Sequence, residues 1–387
     1  MISQRIRDIN PSATLAIAAK AKAMHKQGID ILSLSAGEPD FDTPEHIKNA
    51  AIQALYDGFT KYTPTSGILE LRDAICAKLK TDNNLTYSAE NILVSNGAKQ
   101  ALYNIIQTLI NPFDEALIPV PYWVSYTEMV KLAGGIPVFL PFEKNFKITA
   151  DTIYKYANHK TKLLVINSPS NPTGIVYSKK ELEDIATACL YRKIFVISDE
   201  IYEKLIYDTP HFSIAQVSED MKKQTAVING VSKAYAMTGW RIGYVAAEKA
   251  IIAPATNLQD HITSCANSIA QKAALAAITG PQTFVEEMRR EYKKRRDYII
   301  ERLNAIKGIS IRNPDGAFYV FLNISPIIKE KKISGSETFC EQLLTSENVA
   351  LVPASAFGND NYIRLSYAAS LSTIKEALNR LERFTTS

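Results

Sequence analysis

Four short polar clusters in this chain carry residue types that could do chemistry together: Asn96-Gly97-Ala98-Lys99, Asn167 to Pro172, Asp199-Glu200-Ile201-Tyr202 and Gly230-Val231-Ser232-Lys233. Lys233 supplies an amine able to condense with a carbonyl to a Schiff base. Asp199 supplies a carboxylate. Arg241 follows Lys233 by eight residues within Gly230 to Gly243, and a guanidinium can grip a dianionic phosphate with two parallel hydrogen bonds. Gly97 and Ala98 open a helical pattern, so their backbone N–H groups suit a phosphate as well. Taken singly, each residue also has an ordinary reading. Lys233 could be a surface lysine, Asp199 the cap of a following helix, Tyr202 and Trp123 core, and Asn171 a turn residue.

The surrounding pattern explains how such clusters would meet. Strand candidates run over Asn91–Ser95, Ala116–Val120, Ile136–Phe142, Lys162–Asn167, Lys193–Ser198, Thr225–Asn229 and Ile242–Ala246, with a helix over Lys99–Leu109. The near-continuous apolar runs LLVI and IFVI fit strands buried on both faces of a mostly parallel sheet. Strands alternating with helices predict an open α/β sheet, and ligands of such sheets sit beyond the carboxyl ends of the strands. All four clusters follow strand candidates. Towards the C-terminus the pattern becomes α+β: a long helix over 283–306, strands over Ala317–Leu322 and Tyr362–Tyr367, and a helix over Glu337–Ser346. The expected fold is therefore α/β, a large domain over 46–285 with a mostly parallel mixed sheet flanked by helices, and a smaller α+β domain from 1–45 and 286–387.

A site for pyridoxal 5′-phosphate needs a lysine, a carboxylate for the pyridine nitrogen, and donors for the phosphate and the ring oxygen. The segment Gly230-Val-Ser-Lys-Ala-Tyr-Ala-Met-Thr-Gly-Trp-Arg-Ile-Gly243 resembles the lysine-attachment signature of the class I aminotransferases, enzymes of fold-type I, at all fourteen positions. Further similar stretches are Ala36-Gly-Glu-Pro-Asp-Phe, Lys61-Tyr-Thr-Pro, Asn96-Gly-Ala-Lys-Gln, Pro121-Tyr-Trp, Asn167-Ser-Pro-Ser-Asn-Pro-Thr-Gly, Ser198-Asp-Glu-Ile-Tyr and Ile363-Arg-Leu-Ser-Tyr. The resemblance implies that Lys233 carries the cofactor and shuttles the Cα proton, and that Asp199 holds the pyridine nitrogen. It implies that Tyr202 and Asn171 reach the ring oxygen, with a cis bond between Asn171 and Pro172. Trp123 stacks on the ring, and Gly97, Ala98, Ser232 and Arg241 hold the phosphate. Tyr62 reaches the phosphate of a neighbouring subunit, implying a homodimer with shared sites. Arg364, Gly37 and Asn171 bind the substrate's α-carboxylate.

Lys99 narrows the substrate. The Gly-Ala-Lys-Gln version of its motif resembles the prokaryotic-type aspartate aminotransferases, in which this lysine helps hold the distal carboxylate; Lys99 is also near the cofactor. An ordinary solvated lysine would oppose the helix dipole at that position. Thr14, in Asn10-Pro-Ser-Ala-Thr14, resembles a lid residue closing on the same carboxylate. The implied reaction is ping-pong transfer between L-aspartate and 2-oxoglutarate. Relatives acting on prephenate tend to carry a basic residue where this chain has Asn10. A cofactor-dependent lyase, prephenate or aromatic and aliphatic specificity, and a DNA-binding regulator are the alternatives. About 30 residues before Ala36 are too few for a helix-turn-helix module.

Composition excludes several other classes. A formal charge of +4 over 387 residues is too small to imply a nucleic-acid or membrane partner. The basic run from Arg289 to Arg296 is expected to be a solvated helix face with i,i+4 pairs. Four scattered cysteines without a C-x-x-C pair argue against a disulfide framework and fit a reducing, cytoplasmic setting. The five histidines lack metal-ligand spacing, so no metal is expected and each histidine reads as surface or packing.

Overall fold

The computed structural model describes residues 2–9, 13–142 and 145–386, with residues 4, 5, 13–16 and 18 described by backbone alone. Thirteen strands fall among them: β1 (Leu32–Ser33), β2 (Ile92–Ser95), β3 (Glu115–Pro119), β4 (Ile136–Leu140), β5 (Thr161–Asn167), β6 (Phe195–Asp199), β7 (Thr225–Gly230), β8 (Gly243–Ala246), β9 (Ser310–Ile311), β10 (Tyr319–Asn323), β11 (Val349–Ala350), β12 (Val352–Pro353) and β13 (Tyr362–Ser366). Seven of these form one sheet in the order β2-β8-β7-β6-β5-β3-β4.

Six strands of that sheet run the same way, and β8 alone is antiparallel to both of its neighbours. Helical crossovers join β3, β4, β5, β6 and β7, which makes these strands parallel and covers both faces of the sheet, so its strands are apolar on both sides. On one side the helix Ala98–Leu109 buries Ala101, Leu102, Ile105 and Ile106 against Leu93, Ile118, Val165, Ile197 and Ile228. On the other, the helix Lys179–Arg192 buries Leu182, Ile185 and Ala186 against Leu117, Leu164, Ile166 and Val196. The reversal of β8 matters for the site. It puts the start of β8, with Arg241 just before it, at the edge where the other six strands end.

A second, antiparallel sheet has the order β12-β13-β10-β9. Its apolar face packs with Met288, Tyr292, Ile299 and Leu303 of the helix Thr283–Ala305 and with Ile374, Leu378 and Leu381 of the helix Leu371–Thr386. The N-terminal segment is tied to this region: β1 pairs in parallel with β11, and Ser366 N donates to Leu34 O at 2.8 Å.

Two sequence expectations need correction. No helix follows Asp199; residues 201–204 form a turn, with Glu203 N donating to Glu200 O at 2.9 Å. Apolar Ile201 and Leu205 join the core on either side of that turn, and the chain exits before a second helical turn forms. The basic run 289–296 is also only partly solvated. Arg290 and Lys293 make the expected i,i+4 pairs with Glu286 and Asp297, but Arg295 and Arg296 are buried. Arg295 Nη1 donates to both carboxylate oxygens of Asp40, at 2.8 and 2.9 Å, and Arg296 Nη2 donates to Asp208 at 2.6 Å. Removing one partner of such a pair costs up to about 3–5 kcal/mol, less here because Asp40 and Asp208 keep contact with solvent. Arg295 thereby fixes the segment that carries Gly37.

Candidate active site

Beyond the carboxyl ends of the strands lies a cavity of about 510 Å³. All four polar clusters reach it. Its walls include Ala98 and Lys99 after β2, Asn167 and Asn171 after β5, Asp199 and Tyr202 after β6, and Ser232 and Lys233 after β7. Arg241 enters ahead of the reversed β8, Trp123 from the loop after β3, Gly37 from the N-terminal segment and Arg364 from β13. Gly97 and Tyr62, both expected at the site, are not among the cavity's lining residues. Tyr62 is 90% exposed and lies outside the cavity. Thr14 lies on the helix Ala13–Lys26, but its side chain and residue Asn10 fall outside the described residues.

Lys233 sits on the cavity floor, where its ammonium donates to the Gly37 carbonyl. Burial depresses its pKa to about 8; Glu38 and Asp199 oppose that shift, while Arg241 and Arg364 reinforce it. Asp199 is 4% exposed, and burial pushes its carboxyl up to about 6. A 2.6 Å hydrogen bond from Tyr126 Oη to Asp199 Oδ2 works against that rise. The two groups therefore approach each other in acidity: a lysine made easier to deprotonate faces a carboxyl made easier to protonate.

The wall opposite the large sheet is built around Arg364, whose side chain is 3% exposed. Nη1 donates to Asn171 Oδ1 at 2.9 Å and Nη2 to the Ser35 carbonyl at 2.8 Å. The guanidinium lies 4.5 Å from the Tyr319 ring centroid, and its Nε has no partner. Asn171 is itself held by its N–H donating to Asn167 Oδ1 at 2.7 Å, and the Asn171–Pro172 bond is cis, as expected. Tyr202 and Tyr319 share a hydroxyl hydrogen bond of 2.9 Å.

At the phosphate-like end, the helix Ala98–Leu109 starts with no side-chain cap, which leaves its first-turn N–H groups for an anion. Gly97 contributes differently from expectation. Its own N–H is taken by the Ser95 carbonyl at 2.8 Å, so its part is conformational and steric. Gly97 has φ +82°, and a Cβ there would lie 2.4 Å from Arg241 Nη2. Arg241 also holds a left-handed backbone, φ +56°, a strained state for a side-chain-bearing residue. Its Nη1 donates to Thr238 O at 2.8 Å. Gly243 completes the cradle, since a Cβ on it would come within 2.1 Å of Ala98 N. Lys99 stands where the cavity opens into a second hollow of about 970 Å³. Its ammonium lies 4.7 Å from the Trp123 ring centroid, and burial followed by Arg241 lowers its pKa.

A family model described as "Aminotransferase class I and II" matches residues 29–381. The chain belongs to that family. Among curated aminotransferases, the aspartate aminotransferase of Bacillus sp. (strain YM-2) is 50% identical over 99% of both chains. That of Bacillus subtilis (strain 168) is 47% identical over 99% of this chain and 98% of its own. The solved aspartate aminotransferase of Thermus thermophilus with maleate shares 42% identity and a TM-score of 0.95, covering 99% of each chain. The shared fold is that of fold-type I aminotransferases, with a mostly parallel central sheet and a smaller antiparallel one.

The cavity of this aminotransferase also contains residues that sequence reasoning passed over. Tyr126 lies three residues after Trp123, in the first turn of the helix Ser125–Leu132 that follows it, and its nearness to a quoted motif could have flagged it. Asn167 stood inside a quoted motif without a role. Glu38 and Thr238 likewise stood inside quoted motifs and are joined by a 2.9 Å bond from Thr238 Oγ1 to Glu38, while Ser35 and Tyr319 had no local signal and meet partners far away in the chain.

The donor set fits pyridoxal 5′-phosphate. An amine, a buried carboxylate, an uncapped helix start beside Arg241 and an indole line one cavity, the group types that the cofactor's aldehyde, ring nitrogen, phosphate and ring face call for.

Proposed function

We propose that this aminotransferase uses pyridoxal 5′-phosphate to move the amino group between L-aspartate and 2-oxoglutarate in two alternating half-reactions. The observation that carries the reading is Arg364. It is a buried cation whose hydrogen bonds go to neutral oxygens and whose Nε is unpartnered, facing the same cavity as Lys233. A buried charge left like this is costly until an anion completes it. The α-carboxylate shared by amino acids and 2-oxo acids is such an anion.

In this reading Lys233 holds the cofactor, Asp199 its ring nitrogen, and Asn171 and Tyr202 its ring oxygen. Trp123 covers the ring. Ala98, Lys99 through its backbone, Ser232 and Arg241 hold the phosphate in the cradle shaped by Gly97. When bound, the cofactor supplies an aldehyde to capture the amino group and a cationic ring to draw electrons from the Cα–H bond. Arg364, Asn171 and Gly37 hold the substrate's α-carboxylate, and this fixes which Cα bond faces the Lys233 amine. With a pKa of about 8, that amine takes up and returns a proton near neutral pH at little cost. Lys99, with Thr14, receives the distal carboxylate. The names of the Bacillus relatives support the choice of aspartate, and so does the maleate of the Thermus structure, a four-carbon dicarboxylate.

The exposed ring of Tyr62 supports a homodimer in which it reaches the neighbouring phosphate. We place the enzyme in the cytoplasm; among the described residues no helix is long and apolar enough to cross a membrane. The division into 46–285 and 1–45 with 286–387 is our domain assignment. A second reading, amination of prephenate, is supported by a 45% identical relative from Rickettsia felis named probable aspartate/prephenate aminotransferase.

The test is a half-reaction screen. The protein is loaded with pyridoxal phosphate, mixed with single amino acids and followed spectroscopically for conversion to the pyridoxamine form; that form is then offered 2-oxoglutarate or prephenate. Aspartate is expected to react fastest. Far faster reaction with neutral aliphatic amino acids would defeat the dicarboxylate assignment. Product release without any pyridoxamine form would defeat transamination itself.

A further inference from the structure

Behind the active site lies a second buried polar assembly with no part in the chemistry described above. After β6 the chain divides its side chains between two sides: Asp199, Ile201 and Tyr202 line the cavity, while Glu200 and Glu203 lie outside its lining and are both buried. Glu200 Oε1 accepts from Ser198 Oγ at 2.7 Å and from Ser213 Oγ at 2.5 Å. Its Oε2 lies 3.0 Å from His211 Nε2. Glu203 accepts from Asn83 Nδ2 at 2.8 Å and is paired with the Lys78 ammonium.

His211, read from the sequence as a surface or packing residue, is half-buried as a residue, with its side chain 8% exposed and set beside two carboxylates. One ligand atom from each of Glu200, Glu203 and His211 falls within a 4.8 Å cluster. Such a cluster resembles a set of metal ligands, but Lys78 already supplies a cation to it. Charge counting gives its logic. Two buried carboxylates and one ammonium leave a net negative charge beside Asp199 unless the imidazole is protonated. Buried charge without compensation is unfavourable.

We propose that His211 and Glu200 are positioning residues for the cofactor: held as an imidazolium–carboxylate pair, they cancel the charge next to Asp199 and let Asp199 stay ionised against the ring nitrogen. This rests on the reading that Asp199 holds that nitrogen. Burial opposes the charge on His211, but the hydrogen bond to Glu200 and the charges of Glu200 and Glu203 outweigh it and the opposing Lys78, so its pKa is raised. Glu200 is one of the groups that raise Asp199, after burial itself. Other ionisable groups surround the assembly: the phenols of Tyr235 and Tyr244 are both pushed up by burial and feel Glu203, Tyr244 also Glu200, and Asp82 lies 3.7 Å from the Lys78 ammonium. The Tyr87 phenol is pushed up by burial and by Glu200. Asp82 pairs with Lys204 at 2.7 Å. Asp208, Glu286 and Arg289 share with His211 the lining of an outer groove of about 670 Å³.

The test measures the affinity of the apoprotein for pyridoxal phosphate as a function of pH in the unaltered protein, His211→Gln, Glu200→Gln and the double variant. Removing the imidazolium should make Asp199 harder to ionise, so affinity in His211→Gln should begin to fall at a pH higher by roughly half a unit, about twofold weaker binding at pH 6 and about threefold at pH 5. Removing the carboxylate should displace the onset the other way by a similar amount. The double variant should return close to the starting profile. A merely structural role would weaken all three variants without opposite displacements, so displacement in one direction, or none, overturns the proposal. An imidazole NMR signal showing His211 uncharged at pH 7 in the unaltered protein overturns it too, even if a variant fails to fold. If the unaltered apoprotein does not bind the cofactor, the functional reading falls and this proposal with it. Intact binding with same-direction shifts defeats this proposal alone.

Discussion

Two walls meet at the active-site cavity, and they are assembled on different plans. The sheet-side wall takes its groups from consecutive strand ends, each delivered by a short local cluster: Ala98, Asn171, Asp199 and Lys233. The facing wall gathers Ser35, Gly37, Tyr319 and Arg364 from segments some 280–330 residues apart, held by β10–β13 pairing and by the bond from Arg364 to the Ser35 carbonyl. In the proposed function the first wall holds a cofactor that stays, and the second binds substrates that come and go. A resident group can be gripped by rigid strand ends, whereas a substrate carboxylate needs a site poised between separate segments. If that division is right, mutations on the two walls should separate cofactor binding from substrate turnover.

The largest effect is expected at Lys233, where both functions coincide. Lys233→Ala should remove the absorbance of the covalently held cofactor and lower kcat by roughly 10²–10⁴-fold, the contribution of a positioned general acid–base. Steady-state kinetics and the visible spectrum check both at once. Arg364→Lys should act on one wall alone. A lysine keeps the charge but loses the planar two-pronged grip, so kcat/KM for aspartate should fall by about 10–100-fold, as for loss of a charge-assisted hydrogen bond. Cofactor affinity, measured by fluorescence titration, should stay unchanged. A comparable loss of cofactor affinity would erase the distinction between the walls.

The same contrast explains what could be read from the sequence. The sheet-side wall was legible because each of its groups follows an apolar strand within a few residues, so strand ends and motif coincide. The strand spans themselves moved by only one or two residues. The ordinary reading of Asp199 as the cap of a following helix fails because the chain only turns at 201–204, where Tyr202 packs edge-on against Phe318 and Tyr319. The basic run at 289–296 was misread because periodicity shows which residues share a face, not that Asp40, some 250 residues earlier, lies against it. Arg364 was reachable only through resemblance, since nothing local distinguishes an arginine on a buried strand that binds an anion from one that pairs with a carboxylate.

Lys99 tests whether the substrate side extends beyond the α-carboxylate. Lys99→Ala should lower kcat/KM for aspartate by about fivefold to tenfold, the scale of one partly solvated ionic contact. Alanine, which lacks the distal carboxylate, should react as well as before. Equal losses for both substrates would place Lys99 with the cofactor instead, where its position at the helix start beside Arg241 also allows it to act.

The smallest expected effect is at Tyr126, and its sign is informative. Its hydroxyl donates to Asp199 Oδ2 at 2.6 Å and is the strongest influence opposing the burial that raises Asp199 to about 6. The phenol is itself held far above its ordinary pKa by burial and by Asp199, so it remains a donor throughout the working range. Tyr126→Phe keeps the ring and its edge-on packing against Trp123 but removes the donor. The carboxyl should then ionise less readily, although the Ile201 N–H still contributes its weaker 3.3 Å bond. Cofactor affinity should therefore begin to fall at a pH higher by roughly half a unit, a loss of about twofold at pH 6 and about threefold at pH 5. At pH 8, where Asp199 is ionised in both proteins, the two affinities should converge. A loss that is constant with pH would mean that Tyr126 merely fills space, and a gain would mean that the hydrogen bond competes with the ring nitrogen for Asp199. Only the pH-dependent loss fits a wall that grips its cofactor through the charge of one buried carboxylate.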